Sequence, residues 1–187
     1  MNKAFYLELT KKLQKINISL TEEQVLDFLK IKHRWPFSYP GGQPSVEIIT
    51  NNGDMRRIPF FSVSGYLDYD KWKHFYDLGY TTVVSNILDL TEELRNLSSF
   101  IQNELGNEIN GNFYFSKPGQ KASFDTHAHA YHVIVKQIYG QSDWVCGEKN
   151  LILKPQETLW IPKRTPHSVI SKTEAKLSLT LIVTGKQ

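Results

Sequence analysis

Apolar residues follow two regimes along this chain. Up to about residue 110 they recur mostly at helical spacing; beyond it they come in short alternating runs separated by turn residues. Leu7, Leu9, Leu13 and Ile16 predict a helix over Phe5–Lys15. Val25, Leu26, Phe28 and Leu29 predict a second over Glu22–Lys30. Ser19 or Thr21 caps it, and Glu22 and Glu23 lie in its first turn, where the helix dipole favours carboxylates. Trp35-Pro36 through Gly41-Gly42 reads as a loop. Ser45–Thr50 alternates and ends at Asn52-Gly53, a hairpin signal, with Arg57–Ser62 as the returning strand. Asp68 or Asp70 opens a short helix through Trp72 and Phe75, closed by Gly79. Thr81–Leu88 is rich in β-branched residues and predicts a strand. Thr91 then caps a helix carrying Leu94, Leu97, Phe100, Ile101 and Leu105, with Gly106 just past its end.

The last third predicts strands alone. They are Gly111–Ser116, Ala122–His129, Val133–Tyr139, Ser142–Cys146, Asn150–Leu153, Glu157–Ile161, His167–Ile170 and Leu177–Val183. Lys117-Pro118-Gly119, Gly140-Gln141, Gly147-Glu148, Pro155 and Pro162 punctuate them. Many short, evenly spaced strands indicate a barrel or sandwich. Helices ahead of them predict a mainly β domain whose N-terminal elements, residues 1–78, cover a barrel formed by 79–187.

Composition narrows the chemistry little. A length of 187 residues suits one domain. With 22% charged and 12% aromatic residues the chain is not of the disordered class. A net charge of +3 is too small to argue for nucleic acid. The lone Cys146 excludes a disulfide framework and fits a reducing compartment. There is no apolar run long enough for a membrane span, and Glu8, Lys11 and Lys12 interrupt any signal-peptide core. The expectation is a cytoplasmic protein. Histidine changes the picture: of six, three lie between residues 127 and 132.

In Ser123-Phe124-Asp125-Thr126-His127-Ala128-His129-Ala130-Tyr131-His132, strand geometry sends alternate side chains to one face. His127 and His129 thus point together, a ready chelate for a borderline divalent metal, with Asp125 next on that face. Asp125 is either an acceptor for an imidazole N–H or an ordinary polar strand residue. His132 has the opposite parity and needs a bulge or turn to join. The candidate third ligand is His167, which the Pro162 and Pro166 loop delivers at the start of a strand. Two ligands from one strand and one from a neighbour leave open positions on the metal.

Over roughly Gly79 to Val183 the chain resembles the cupin superfamily, and within it the JmjC-like oxygenases of the ribosomal-oxygenase branch. Four stretches carry the resemblance: Gly111–Gly119, His127-Ala128-His129, Gln137–Trp144, and Leu159–His167 followed by Leu177–Leu181. They look like that family's strand and turn before the metal motif, its His-x-Asp, its Gln-x-x-Gly-x-Lys-x-Trp stretch, and its distal histidine loop with the closing strand. The resemblance implies a double-stranded β-helix, Fe(II) held by His127, His129 and His167, 2-oxoglutarate as co-substrate, and hydroxylation of a small molecule or peptide. It also implies two departures. His129 stands where the family has an acid, so the site carries one more positive unit and another divalent metal becomes an option. Ser142 stands where the family has the basic residue that binds 2-oxoglutarate, and a carboxylate normally needs a cation at its end of the pocket. Lys136, Arg164 or Lys176 are the candidate substitutes, and Tyr114 a candidate hydrogen-bond donor to the co-substrate. The ribosomal members' C-terminal extension for dimerisation and substrate binding has no counterpart here, which shifts the expectation towards a small molecule and leaves a homodimer open.

Three functions compete on this reading. The first is an Fe(II)/2-oxoglutarate hydroxylase. The second is a three-histidine dioxygenase that does not use 2-oxoglutarate, since His127-x-His129-x-x-His132 followed by Gly140 also looks like a thiol-dioxygenase motif. The third is a non-catalytic cupin binding module. Arg164, beside Lys163 at the proposed metal mouth, is also a candidate for attracting an anionic substrate, or else part of a solvated loop.

Overall fold

The structure is a computed structural model and describes residues 3–31, 46–49, 55–56, 67–106, 109–118, 124–170 and 174–183. The predicted loop at Trp35–Gly42, the Asn52-Gly53 turn and the returning strand Arg57–Ser62 lie outside the described residues.

Helix α1 (Lys3–Gln14) buries Tyr6, Leu9 and Leu13, one stripe at helical spacing. Helix α2 (Glu22–Ile31) is started by Thr21 rather than Ser19. The Thr21 hydroxyl accepts from Gln24 N at 3.2 Å, and the Gln24 side chain accepts from Thr21 N at 2.9 Å, a reciprocal cap. Asp68 caps α3 (Tyr69–Asp77), and Thr91 caps α4 (Glu92–Leu105), which ends at Gly106 in the left-handed region.

The strands are β1 (Val46–Ile49), β2 (Met55–Arg56), β3 (Thr81–Ser85), β4 (Asn110–Ser116), β5 (His132–Tyr139), β6 (Ser142–Cys146), β7 (Lys149–Leu153), β8 (Thr158–Ile161), β9 (His167–Ile170) and β10 (Lys176–Val183). They form two antiparallel sheets, ordered β2-β1-β3-β4-β10-β5-β8 and β7-β6-β9. The large sheet is shared between two interiors. From β10, Leu177, Leu179, Leu181 and Val183 face the helices, in one core with Leu9, Trp72, Leu97 and Phe115. The alternate residues face the small sheet, where Val133, Val135, Trp144, Leu153 and Ile161 form a second core. The fold is the mainly β jelly-roll expected from the sequence, with helices on its outer face.

Two boundaries differ from the sequence reading. The strand predicted over Thr81–Leu88 stops at Ser85, because Asn86 turns at φ 58°. The strand predicted over Ala122–His129 is absent across its described part, which touches β9 through a single bridge between His127 and His167. The groups that would extend that ladder are used elsewhere. Thr165 N donates to Pro162 O within a turn, and Asp125 O is taken by the His127 ring.

Candidate metal centre

Local backbone chemistry brings the three histidines together. His127 and His167 exchange both backbone hydrogen bonds, at 3.0 and 2.8 Å. Arg164, held at φ 63°, donates its backbone N–H to His129 O at 2.7 Å and clasps the second segment to the same loop. Ring centroids are 4.4 Å apart for His127–His167, 4.9 Å for His127–His129 and 5.2 Å for His129–His167. One nitrogen from each lies within 4.8 Å of the others, an arrangement that can hold a metal ion.

The tautomers suit that role. Nδ1 of His127 is 2.7 Å from Asp125 O, and Nδ1 of His167 is 2.8 Å from Thr165 O. A carbonyl only accepts, so both Nδ1 atoms carry the proton and both Nε2 atoms keep a free lone pair. Burial pushes His129 down to about 4, helped by His127 and His167. Burial also lowers His167, against the opposing pull of the Thr165 carbonyl. At neutral pH these two imidazoles are therefore uncharged, the state that ligates metal. Three imidazole donors, two of them with tautomers fixed by backbone carbonyls, fit a borderline divalent ion such as Fe(II) or Zn(II).

The histidines open onto a cavity of about 350 Å³ between the two sheets. Registry orders its floor in cross-strand rows, successive rows lying roughly 7 Å apart along the strands. The row Ile182, Val133, Ile161 is tied to the histidines by the chain: Val133 lies two residues after Tyr131, which stacks on His129, and Ile161 three before Arg164, which binds His129 O. Next come Ser85, Asn112, Thr180 and Val135, then Glu47, Val83, Tyr114 and Ser178, and last Ile49, Thr81 and Lys176.

The other sequence candidates fall in different places. Lys176 lies in the far row, 4% exposed, and burial pushes its ammonium down to about 8 against the pull of Asp143. Among the described residues its Nζ makes no hydrogen bond or ion pair. Tyr114 lines the cavity, its phenol pushed up to about 12 chiefly by burial. Lys136, by contrast, faces the helices, because it pairs with the helix-facing Leu179. Its Nζ donates to Leu13 O at 3.2 Å and Gln156 O at 3.0 Å, so it anchors α1 and is not available to a cavity ligand. His132 also faces α1. It stacks on Tyr6 at 4.1 Å and accepts from Trp160 Nε1 and Lys163 N, so no turn brings it to the other histidines. Arg164 contributes its backbone while its side chain is exposed. Asp125 acts through its carbonyl, its side chain being exposed.

Ser142 does not touch the cavity as a charge surrogate. Its hydroxyl donates to Gln137 Oε1 at 2.7 Å and accepts from Trp144 Nε1 at 2.9 Å, while Ser178 donates to the same Oε1 at 2.8 Å. This buried network sets Trp144 beside His167, with centroids 6.3 Å apart. Sequence reasoning missed the roles of Gln137 and Trp144, and the lining residues Glu47, Asn112 and Thr180. Alternation along each strand identifies the lining residues once one cavity-facing position is known.

A family model described as an AraC-like ligand binding domain matches residues 111–182, the stretch from β4 into β10. No curated protein matches the sequence. Similar solved structures include a cupin 2 conserved barrel domain protein from Leptotrichia buccalis, 24% identical with a TM-score of 0.38, over 41% of this chain and 36% of that one. A DMSP lyase from Ruegeria pomeroyi is 17% identical with a TM-score of 0.37, over 41% of this chain and 38% of that one. A conserved protein of unknown function from Streptococcus pyogenes is 16% identical with a TM-score of 0.38, over 43% and 68%. The chain thus spans well under half of the first two.

Proposed function

We propose that this chain is a metal-dependent cupin enzyme, an oxygenase using Fe(II) and 2-oxoglutarate. The family-model match over 111–182 supports the cupin level of this reading. The observation that carries the finer level is Lys176: a buried ammonium, without a hydrogen bond among the described residues, in the same cavity as the three histidines. A desolvated cation of this kind is a strong receptor for a carboxylate. It supplies the charge missing at Ser142.

His127, His129 and His167 would hold the metal, which when bound supplies a Lewis acid and a redox centre for O2. Lys176 receives the distal carboxylate and so orients the 2-oxo acid end towards the histidines. Tyr114, one row nearer, flanks its path as a hydroxyl donor. The jelly-roll sheets wall the cavity on two sides. In the overall reaction 2-oxoglutarate, O2 and a C–H substrate give succinate, CO2 and the alcohol. A 350 Å³ cavity lies at the small end of ligand sites, and this favours a small molecule over a peptide.

The test is anaerobic titration of the Fe(II)-loaded protein with 2-oxoglutarate, following the visible charge-transfer band of the chelate. A band that saturates in wild type and is lost in Lys176→Met is expected; no band at millimolar co-substrate overturns the reading. His127→Ala and His167→Ala should each abolish stoichiometric metal. A ligand set of three histidines without a carboxylate favours a second reading, a three-histidine dioxygenase without 2-oxoglutarate, which oxygen uptake with small thiols alone would reveal. Saturable ligand binding without either activity would point to a binding module.

A further inference from the structure

The cavity is polarised along its length. Among the described lining residues the charged ones, Lys176 and Glu47, occupy the two rows farthest from the row beside the histidines. That nearest row is aliphatic: Ile182, Val133 and Ile161. Each histidine also has an aromatic neighbour. Phe124 is 5.2 Å from His127, Tyr131 is stacked at 4.8 Å on His129, and Trp144 is 6.3 Å from His167. The polar atom of the Trp144 ring is already used, its Nε1 donating to Ser142.

We propose that the substrate presents an uncharged hydrocarbon group, aliphatic or aromatic, to the histidine end of the cavity. The class is a small molecule whose reacting end is apolar. This deepens the oxygenase reading and rests on it for the direction in which the co-substrate lies. The physical reason is desolvation. An ammonium brought here loses its water, meets no described carboxylate in the adjacent rows, and faces a site that a bound divalent cation makes more positive. A hydrocarbon group loses only its contact with water and gains packing against three aliphatic side chains and three aromatic rings.

A matched pair of probes tests this: benzyl alcohol and benzylammonium, nearly equal in size and differing in charge. Binding to the Co(II)-loaded protein is read from the visible d–d spectrum and from tryptophan fluorescence, with and without 2-oxoglutarate. The alcohol should bind at least about tenfold more tightly than the ammonium in both conditions. Equal affinities, a preference for the ammonium, or no binding of the alcohol at about 10 mM overturns the proposal. In Ile182→Asp an anion enters the nearest row, and the order of the two probes should reverse; if that variant does not fold, the wild-type comparison decides alone. The measurement without 2-oxoglutarate does not depend on the charge-transfer band. A missing band with the alcohol preferred therefore fails the oxygenase reading and not this one.

Discussion

Replacing Lys176 by Met should make the ligand-free protein more stable while removing carboxylate binding. The side chain is 4% exposed and burial brings its ammonium from 10.5 down to about 8. Each tenfold change in proton affinity corresponds to about 1.4 kcal/mol, so keeping this lysine charged at pH 7 costs the folded state about 3 kcal/mol. The sign follows from proton counting. Between about 8 and 10.5 the unfolded chain holds a proton that the folded chain has released. Wild-type stability therefore gains from rising pH across that window, and the cost is complete below it. Lys176→Met lacks the cost at every pH. Its advantage should be about 3 kcal/mol at pH 7, some 6–12 °C in Tm for a chain of this size, and under about 1 kcal/mol at pH 10. Urea unfolding of both proteins at the two pH values measures it. A variant less stable than wild type at pH 7, or equally advantaged at both, would refute the reasoning.

Gly140→Ala should cost more than about 3 kcal/mol, because φ is +66° and a Cβ there would lie 2.1 Å from Ala175 O; thermal unfolding measures it, and a change under about 1 kcal/mol contradicts the geometry. Gln137→Met should cost about 3 kcal/mol, since it strips the acceptor from Ser142 and Ser178 and the donor from Tyr139 O; denaturant midpoints report it, and the Trp144 emission should broaden as its support loosens. In Ser142→Lys, carboxylate affinity should not rise, because the new ammonium would be spent on Gln137; a tighter 2-oxoglutarate titration would show otherwise.

The histidine cluster was legible because a spacing of two puts His127 and His129 side by side whether the segment is a full strand or a single bridge. His167 was legible because two prolines mark the loop that delivers it. That the described part of Ala122–His129 is no strand was not, since Asp125 O is diverted to the His127 ring and the facing Thr165 N to the Pro162 turn, and such diversions leave no hydrophobic pattern. The choice among the three candidate cations was also hidden. Lys136 and Lys176 both sit in strands among apolar residues, and what separates them is register: Lys136 lies opposite Leu179 on the helix face, Lys176 opposite Ser116 on the other. Ser142 read as a gap in a pattern. In the fold its hydroxyl has work that a lysine could not do, bridging Gln137 and Trp144.

Gln156 has a consequence for how the protein is made. Held at φ 67°, its amide accepts from Ile18 N and donates to Ile18 O and Ile138 O, so the connector between the first two helices docks on a residue 138 positions later. Lys136 imposes the same delay on the end of α1, whose Leu13 carbonyl it caps from 123 positions away. During synthesis at about 5–20 residues per second, the first helix leaves the ribosome roughly 6–25 s before Lys136 exists. For that interval its Tyr6, Leu9 and Leu13 stripe lacks the β5 and β8 partners that cover it in the fold, which makes the nascent chain a natural client for holding chaperones. Translated ahead of these receptors, α1 and its connector can dock only once Lys136 and Gln156 have been made.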